Sequence, residues 1–188
     1  VFLLLTVFFL VQRSLWLSAS GIGVAICAKL VPLIFLPSFP GRLTGKNLFL
    51  YFFVVTITCL LIFLPFIDRE VFNSLRSVGL YFDKFEFNAS LYYVVREVGF
   101  WMYGYNIIQT VGWKLGLITF VLILSFIWMR SRQFRLNQEE TDIQDLFQDW
   151  MWILSIYLLF ATTLHPWYIS TLLAFSVFTS YRFTVAWS

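Results

Sequence analysis

The chain has 188 residues, 60% of them hydrophobic and only 12% charged, with a net charge of +3 and a mean hydropathy of +0.82. Water-soluble domains carry about 25% charged residues, so half of the charge needed to face water is missing. That excludes a soluble domain. The small, scattered basic excess gives no footprint for nucleic acid.

Taken in chain order, the first apolar run, Val1 to Val11, is too short to span a bilayer alone. It also lacks the basic region and cleavage site of a signal peptide. It is expected to be the tail of a truncated span, and the sequence a fragment of a longer chain. A second run, Leu17 to Leu36, is interrupted by Lys29 and Pro32. The loop 37–46 has proline and glycine turn chemistry with Arg42 and Lys46. Leu48 to Ile67 is a third run and carries no charge. The two cysteines, Cys27 and Cys59, sit inside these runs as small, soft apolar side chains without disulfide or metal spacing.

Residues 68–111 change character, with Asp68, Arg69, Glu70, Asp83, Lys84 and Glu86 among their charges, and are expected to form a loop in water. Within it, Asn88 to Tyr103 has helical periodicity: Leu91, Val94, Val95, Val98, Trp101 and Met102 share one face, and Tyr92, Arg96, Gly99 and Tyr103 the other. Asn88 is an expected N-cap, with Phe87 stapling onto Tyr92. Such a helix suits the plane of the membrane interface. A fourth span covers Trp113 to Met129 and ends at Arg130, Arg132 and Arg135, before an acidic stretch that includes Glu139, Glu140 and Asp142.

From Trp150 to Tyr181 only His165 is titratable. As one helix this stretch would measure about 48 Å, against a bilayer core of about 30 Å. Pro166 supplies the break into two spans. The expected fold is therefore all-α, a membrane-embedded bundle of about six spans over residues 1–188, with the 68–111 loop and its interfacial helix outside. Basic residues in 37–46 and after Met129 put those two segments in the cytoplasm.

Four features carry candidate chemistry, and each has a plainer alternative. Lys29 either faces the bundle interior or snorkels to the interface. Asn88 and Tyr92 either offer polar contacts to phosphate or sugar oxygens at a helix start, or Asn88 only caps the helix. Arg96, steadied by Glu97, either clamps a phosphate or forms a solvated pair. His165, Trp167 and Tyr168 either bind a phosphate and stack a sugar, or belong to the aromatic belt. No nucleophile–base constellation, metal spacing or glycine-rich phosphate loop is visible, so from the residues alone the catalytic group is unknown.

Three blocks, Lys29 to Pro37, Phe87 to Tyr92 with Arg96, and Leu164 to Tyr168, together resemble the GT-C superfamily of membrane glycosyltransferases. In order and spacing they are similar to its bacterial mannosyltransferase-like members that use polyprenyl-phosphate sugars. The resemblance implies a multi-pass protein of the bacterial inner membrane, moving a hexose such as mannose from a lipid-phosphate donor to a glycan or lipid acceptor on the extracytoplasmic face. It implies a catalytic carboxylate in an outer loop upstream of Val1; the residues themselves point to no cofactor. This chain would then be inactive alone. Asp68, Glu70, Asp83 and Glu86 do not match that position. Lys29, Asn88, Tyr92, Arg96, His165, Trp167 and Tyr168 would line the donor and acceptor cavity. The rival readings are a transporter or flippase subunit for a lipid-linked sugar, or a non-catalytic assembly subunit. Transporters tend to show paired repeats and several mid-membrane ionisable groups, of which only Lys29 fits.

The expected topology is directly testable by labelling of single cysteines in intact cells. Positions in 37–46 and 130–149 should react only after the membrane is opened, and positions in 68–106 without opening it. Labelling of position 84 from the cytoplasmic side alone would remove the outer-face site.

Overall fold

A computed structural model of the chain describes residues 1–66, 85–88, 90–137 and 143–187. Among them the regular structure is helical, apart from one isolated bridge between Phe87 and Thr163. Asp68, Glu70 and Asp83 in the expected outer loop, and Glu139, Glu140 and Asp142, lie outside the described residues. The chain divides into two compact units, Val1–Val71 with Ile127–Leu146, and Phe72–Phe126 with Phe147–Ser188.

The first unit begins with α1 (Phe2–Val11), α2 (Leu15–Ala28) and α3 (Gly45–Phe63), with a 3-10 stretch, Val31–Ser38, between α2 and α3. Small residues let α2 pack closely on both neighbours. A Cβ at Gly21 would lie 2.9 Å from Thr6 Oγ1 of α1, and one at Gly23 would lie 2.9 Å from Thr58 Cβ of α3. The Ser18 hydroxyl and the Tyr51 hydroxyl lie 3.1 Å apart in a buried hydrogen bond, and the Tyr51 ring stacks on Phe39 at 4.4 Å. A buried polar pair of this kind fixes which faces of α2 and α3 meet.

The expected span Leu17 to Leu36 is corrected here. Helix α2 stops at Ala28, which is the residue whose carbonyl the Pro32 ring would strike if the helix continued. Its 14 residues reach only about 21 Å. Lys29 is therefore no mid-helix charge: it follows the last turn in extended conformation (φ −162°, ψ 129°) and is exposed.

The second unit holds α4 (Leu91–Tyr103), α7 (Pro166–Ser176) and α8 (Phe183–Trp187), while α5 (Ile108–Asn137) and α6 (Ile143–Phe160) contribute residues to both units. The break expected at Pro166 is present: α6 ends at Phe160, and α7 starts with Pro166 in its first turn, where a missing N–H costs nothing. Tyr92, Ile108 and Leu115 form a buried cluster, flanked by Tyr93, Val111 and Phe160.

Helix α4 is amphipathic in the inverse sense to a helix on a soluble protein. Its polar side is turned inward, with Tyr92 buried, whereas Trp101 is 83% exposed, Met102 67% and Val94 62%. Lipid, not water, suits that outer face. Two described helical stretches are long and apolar enough to cross a bilayer, Gly45–Phe66 and Ile108–Gln133, and only 17% and 22% of their most apolar windows are buried. The expected count of six spans is not reached by length, because α1, α2 and α7 have 10, 14 and 11 residues.

Because Gly23 is held between Thr58 and the Val55 carbonyl, Gly23→Val should wedge α3 away from α2 and destabilise the protein by about 1–3 kcal/mol. Thermal unfolding in detergent reads this, and an unchanged midpoint would show that the two helices do not pack as described.

Candidate functional site

The polar face of α4 meets a short extended segment, Phe85 to Asn88. That segment is tied to the α6–α7 connection by backbone hydrogen bonds: Phe87 N donates to Thr162 O at 3.1 Å, and Leu164 N donates to Phe87 O at 2.7 Å. The Thr163 hydroxyl adds a bond to Phe85 O at 3.1 Å. Thr162, Thr163 and Leu164 are buried, so the segment has a firm bed.

Glu86 gathers the polar groups around it. Arg96 Nη1 donates to Glu86 Oε1 at 2.9 Å, and Asn106 Nδ2 donates to Oε2 at 3.2 Å. The Tyr92 hydroxyl lies 2.5 Å from Glu86 Oε2 and 3.0 Å from Asn106 Oδ1, and its single proton serves the nearer, charged oxygen. Asn106 Oδ1 also accepts the N–H of Ile108, which fixes the start of α5. Partial burial alone would raise the Glu86 pKa, but the donors Tyr92, Asn106 and Arg96 outweigh it and hold the carboxyl below its ordinary value of 4.5. Burial, then the adjacent carboxylate, push the Tyr92 phenol well above its ordinary value. The hydrogen bond to Glu86 likewise raises Arg96, which stays a fixed cation.

Arg96 is therefore held by Glu86, ten residues earlier in the chain, and not by Glu97, which is exposed. Its guanidinium also sits over the Tyr93 ring at 4.5 Å, and its Nε is buried without a hydrogen-bond partner.

On the next residue of the segment, the Phe87 ring lies 5.2 Å from His165, and His165 stacks on Trp167 at 4.3 Å with the rings nearly parallel. Tyr168 meets His165 edge-on at 5.4 Å. Trp167 and Phe87 are exposed at 59% and 50%, so this is an open aromatic surface. His165 itself is the N-cap residue of α7 without a side-chain capping bond.

Two local expectations are corrected. Asn88 does not cap α4: it has φ 47°, its N–H donates to the Tyr93 hydroxyl at 2.9 Å, and the helix begins after Ser90. Phe87 packs on His165 rather than stapling onto Tyr92. Tyr92 is fully buried with its hydroxyl committed to Glu86, so it supports Arg96 from behind. Arg96 and His165 belong to the same unit and are linked through the adjacent residues Glu86 and Phe87. Lys29 belongs to the first unit. Glu86 and Asn106 were not singled out as site residues in the sequence. An Asn two residues before a helix start is a recognisable signal, but nothing local announces that Glu86 pairs across ten residues. No group of three metal-ligating side chains occurs among the described residues.

Exposed apolar helices, two of them long enough to cross a bilayer, and a polar cluster beside an exposed aromatic surface suit a helical membrane protein. The sequence matches the model of Glycosyltransferase family 87 over residues 1–143, and the chain belongs to that family. It is thus a glycosyltransferase and an enzyme, with a sugar donor and an acceptor as its substrates. The matched range includes Lys29, Asn88, Tyr92 and Arg96 and ends before His165. No curated protein and no solved structure matches the chain.

The Glu86 cluster has a pH signature. A carboxylate with a depressed pKa stabilises the fold above its unfolded value, and that contribution fades as pH falls through the folded value. Glu86→Gln should therefore lower thermal stability at pH 7 and converge with the wild type only in acid, once the pH has fallen through the folded pKa, which lies below the ordinary 4.5. Tyr92→Phe, losing one charge-assisted bond, should cost on the order of 1 kcal/mol. A constant gap between wild type and Glu86→Gln down to acid pH would show that Glu86 is not ionised in this network.

Proposed function

We propose that the chain contributes the donor and acceptor cavity of an enzyme that takes a hexose such as mannose from a polyprenyl-phosphate donor on the extracytoplasmic face of a bacterial inner membrane. The acceptor is a glycan or a lipid. One observation carries this reading: Arg96, its side chain 29% exposed, is tied through Glu86 to the same short segment whose next residue, Phe87, begins the Phe87–His165–Trp167 surface. A lipid-linked sugar phosphate has the matching parts, an anion for a fixed guanidinium and a pyranose face for aromatic rings.

In this reading Arg96 binds a phosphate oxygen through the donors that Glu86 leaves unused. Glu86, Tyr92 and Asn106 hold the guanidinium in orientation, so little side-chain entropy is lost on binding. His165 donates to the sugar or the phosphate, Trp167 and Tyr168 border the sugar, and Asn88 offers its amide at the entrance. The chain's lipid-facing surface lets the polyprenyl tail stay in the bilayer while its headgroup enters the site.

Membranes from cells making the full-length protein provide the test. Transfer should proceed from a polyprenyl-phosphate sugar, and a nucleotide sugar supplied without lipid donor should not support it. Loss of one charged contact is worth about 1.5–3 kcal/mol, so Arg96→Ala should lower donor use about tenfold to a hundredfold at similar protein levels. Arg96→Lys should recover part of the loss, since an ammonium lacks the planar fork. His165→Ala should act in the same direction and be non-additive with Arg96→Ala. Full activity of both variants would overturn the assignment.

A further inference from the structure

A second polar feature lies in the first unit. The end of α1, the start of α2, the loop 37–46 and residues 143–146 surround a cavity of about 440 Å³, within the roughly 300–1,000 Å³ of small-molecule sites. Its walls include Leu10, Leu15 and Leu146, and its polar lining is Arg13, Arg42 and Asn47. No carboxylate lines it among the described residues. Arg42 is steadied by its own turn, with Nη1 donating to Ser38 O at 2.9 Å.

Arg13 is there against its backbone preference. Arg13 N donates to Leu10 O at 3.0 Å and Ser14 N to Phe9 O at 2.9 Å, a Schellman closure of α1. The left-handed position of that motif is normally glycine, and here it is Arg13 at φ 58°. A side chain there costs free energy that glycine would not. Strain of this sort persists where the side chain has a task.

We propose that this cavity binds the phosphate headgroup of an anionic membrane phospholipid, separately from the sugar-transfer site. Two guanidiniums and an amide on an apolar bed match a phosphodiester with its acyl chains alongside. The acyl chains find an exposed apolar side chain in the cavity lining at Val11. Lys46 adds charge in the same turn, one residue before the lining Asn47. The positive-inside pattern that assigns loop 37–46 to the cytoplasm would put the site in the leaflet where anionic lipids concentrate.

Native mass spectrometry of the detergent-solubilised chain, with phosphatidylglycerol or phosphatidylcholine added, tests this. Phosphatidylglycerol should be retained at least tenfold more strongly than phosphatidylcholine. Arg13→Gly removes the strain, so its thermal midpoint should hold or rise while phosphatidylglycerol occupancy falls about tenfold, the loss for one charge-assisted contact. Arg13→Asn, which also tolerates the left-handed backbone, should behave alike if the glycine variant does not express. Equal retention of the two lipids, or wild-type retention by both variants, would overturn the proposal. Stabilisation by inorganic phosphate equal to that by phosphatidylglycerol would overturn the lipid in favour of a free anion.

Discussion

A carboxylate beside a lipid-facing helix needs donors close by, and Glu86 draws them from two places in the chain. Tyr92 and Arg96 reach it from α4, and Asn106 from the turn before α5. Those bonds set which side of α4 faces the protein. With Tyr92 and Arg96 turned inward, Val94, Trp101 and Met102 have to face outward. The Asn106 amide, bonded to Glu86 on one side and to the Ile108 N–H on the other, then couples α4 to the first turn of α5. Gly104, at φ 75°, ends α4 and turns the chain toward Asn106. Local helix signals alone would allow α4 to roll; one ionic centre prevents it.

The sequence was most legible where hydropathy and proline act locally. The uncharged run from Leu48 and the run after Trp113 correspond to the two long apolar stretches, and the proline break before α7 follows from ring sterics. The same steric rule, applied to Pro32, would have ended α2 at Ala28 and removed Lys29 from mid-span. Continuous hydropathy across Pro32 masked that boundary. Of the face of α4 expected to be polar, Tyr92 and Gly99 are buried, while Tyr103 is 58% exposed. Which face meets protein, though, depends on whether the surroundings are water or lipid, and sequence periodicity is the same in both.

The candidate site was legible as residue types and not as a network. Arg96 and His165 stood out because charge and titratable groups are scarce in this chain, and Trp167 because it adjoins His165. Their relation runs through Phe85 to Asn88, a segment too short and irregular to carry a periodic signal. Glu86 was set aside because it does not match the position of a catalytic base. Three donors that depress its pKa make it a structural anion, which is a different task for the same side chain. Membership of a glycosyltransferase family gives the reaction class, and the roles of single residues rest on this local chemistry.

The backbone pairing of Phe87 with Thr163 also bears on how the protein matures. The hydroxyl bond that accompanies it joins residues 78 apart in sequence. The contact can form only once both ends of that long stretch have been made. During synthesis, Phe85 to Asn88 leave the ribosome well before their partners Thr162 to Leu164 have been made. Until those partners arrive, the N–H and C=O of Phe87 depend on water for their hydrogen bonds. A chain stalled after α6 would hold most of its helices and still lack the bed on which the polar cluster rests. Quality control that senses unpaired backbone would thus see an immature protein until the α6–α7 connection has emerged.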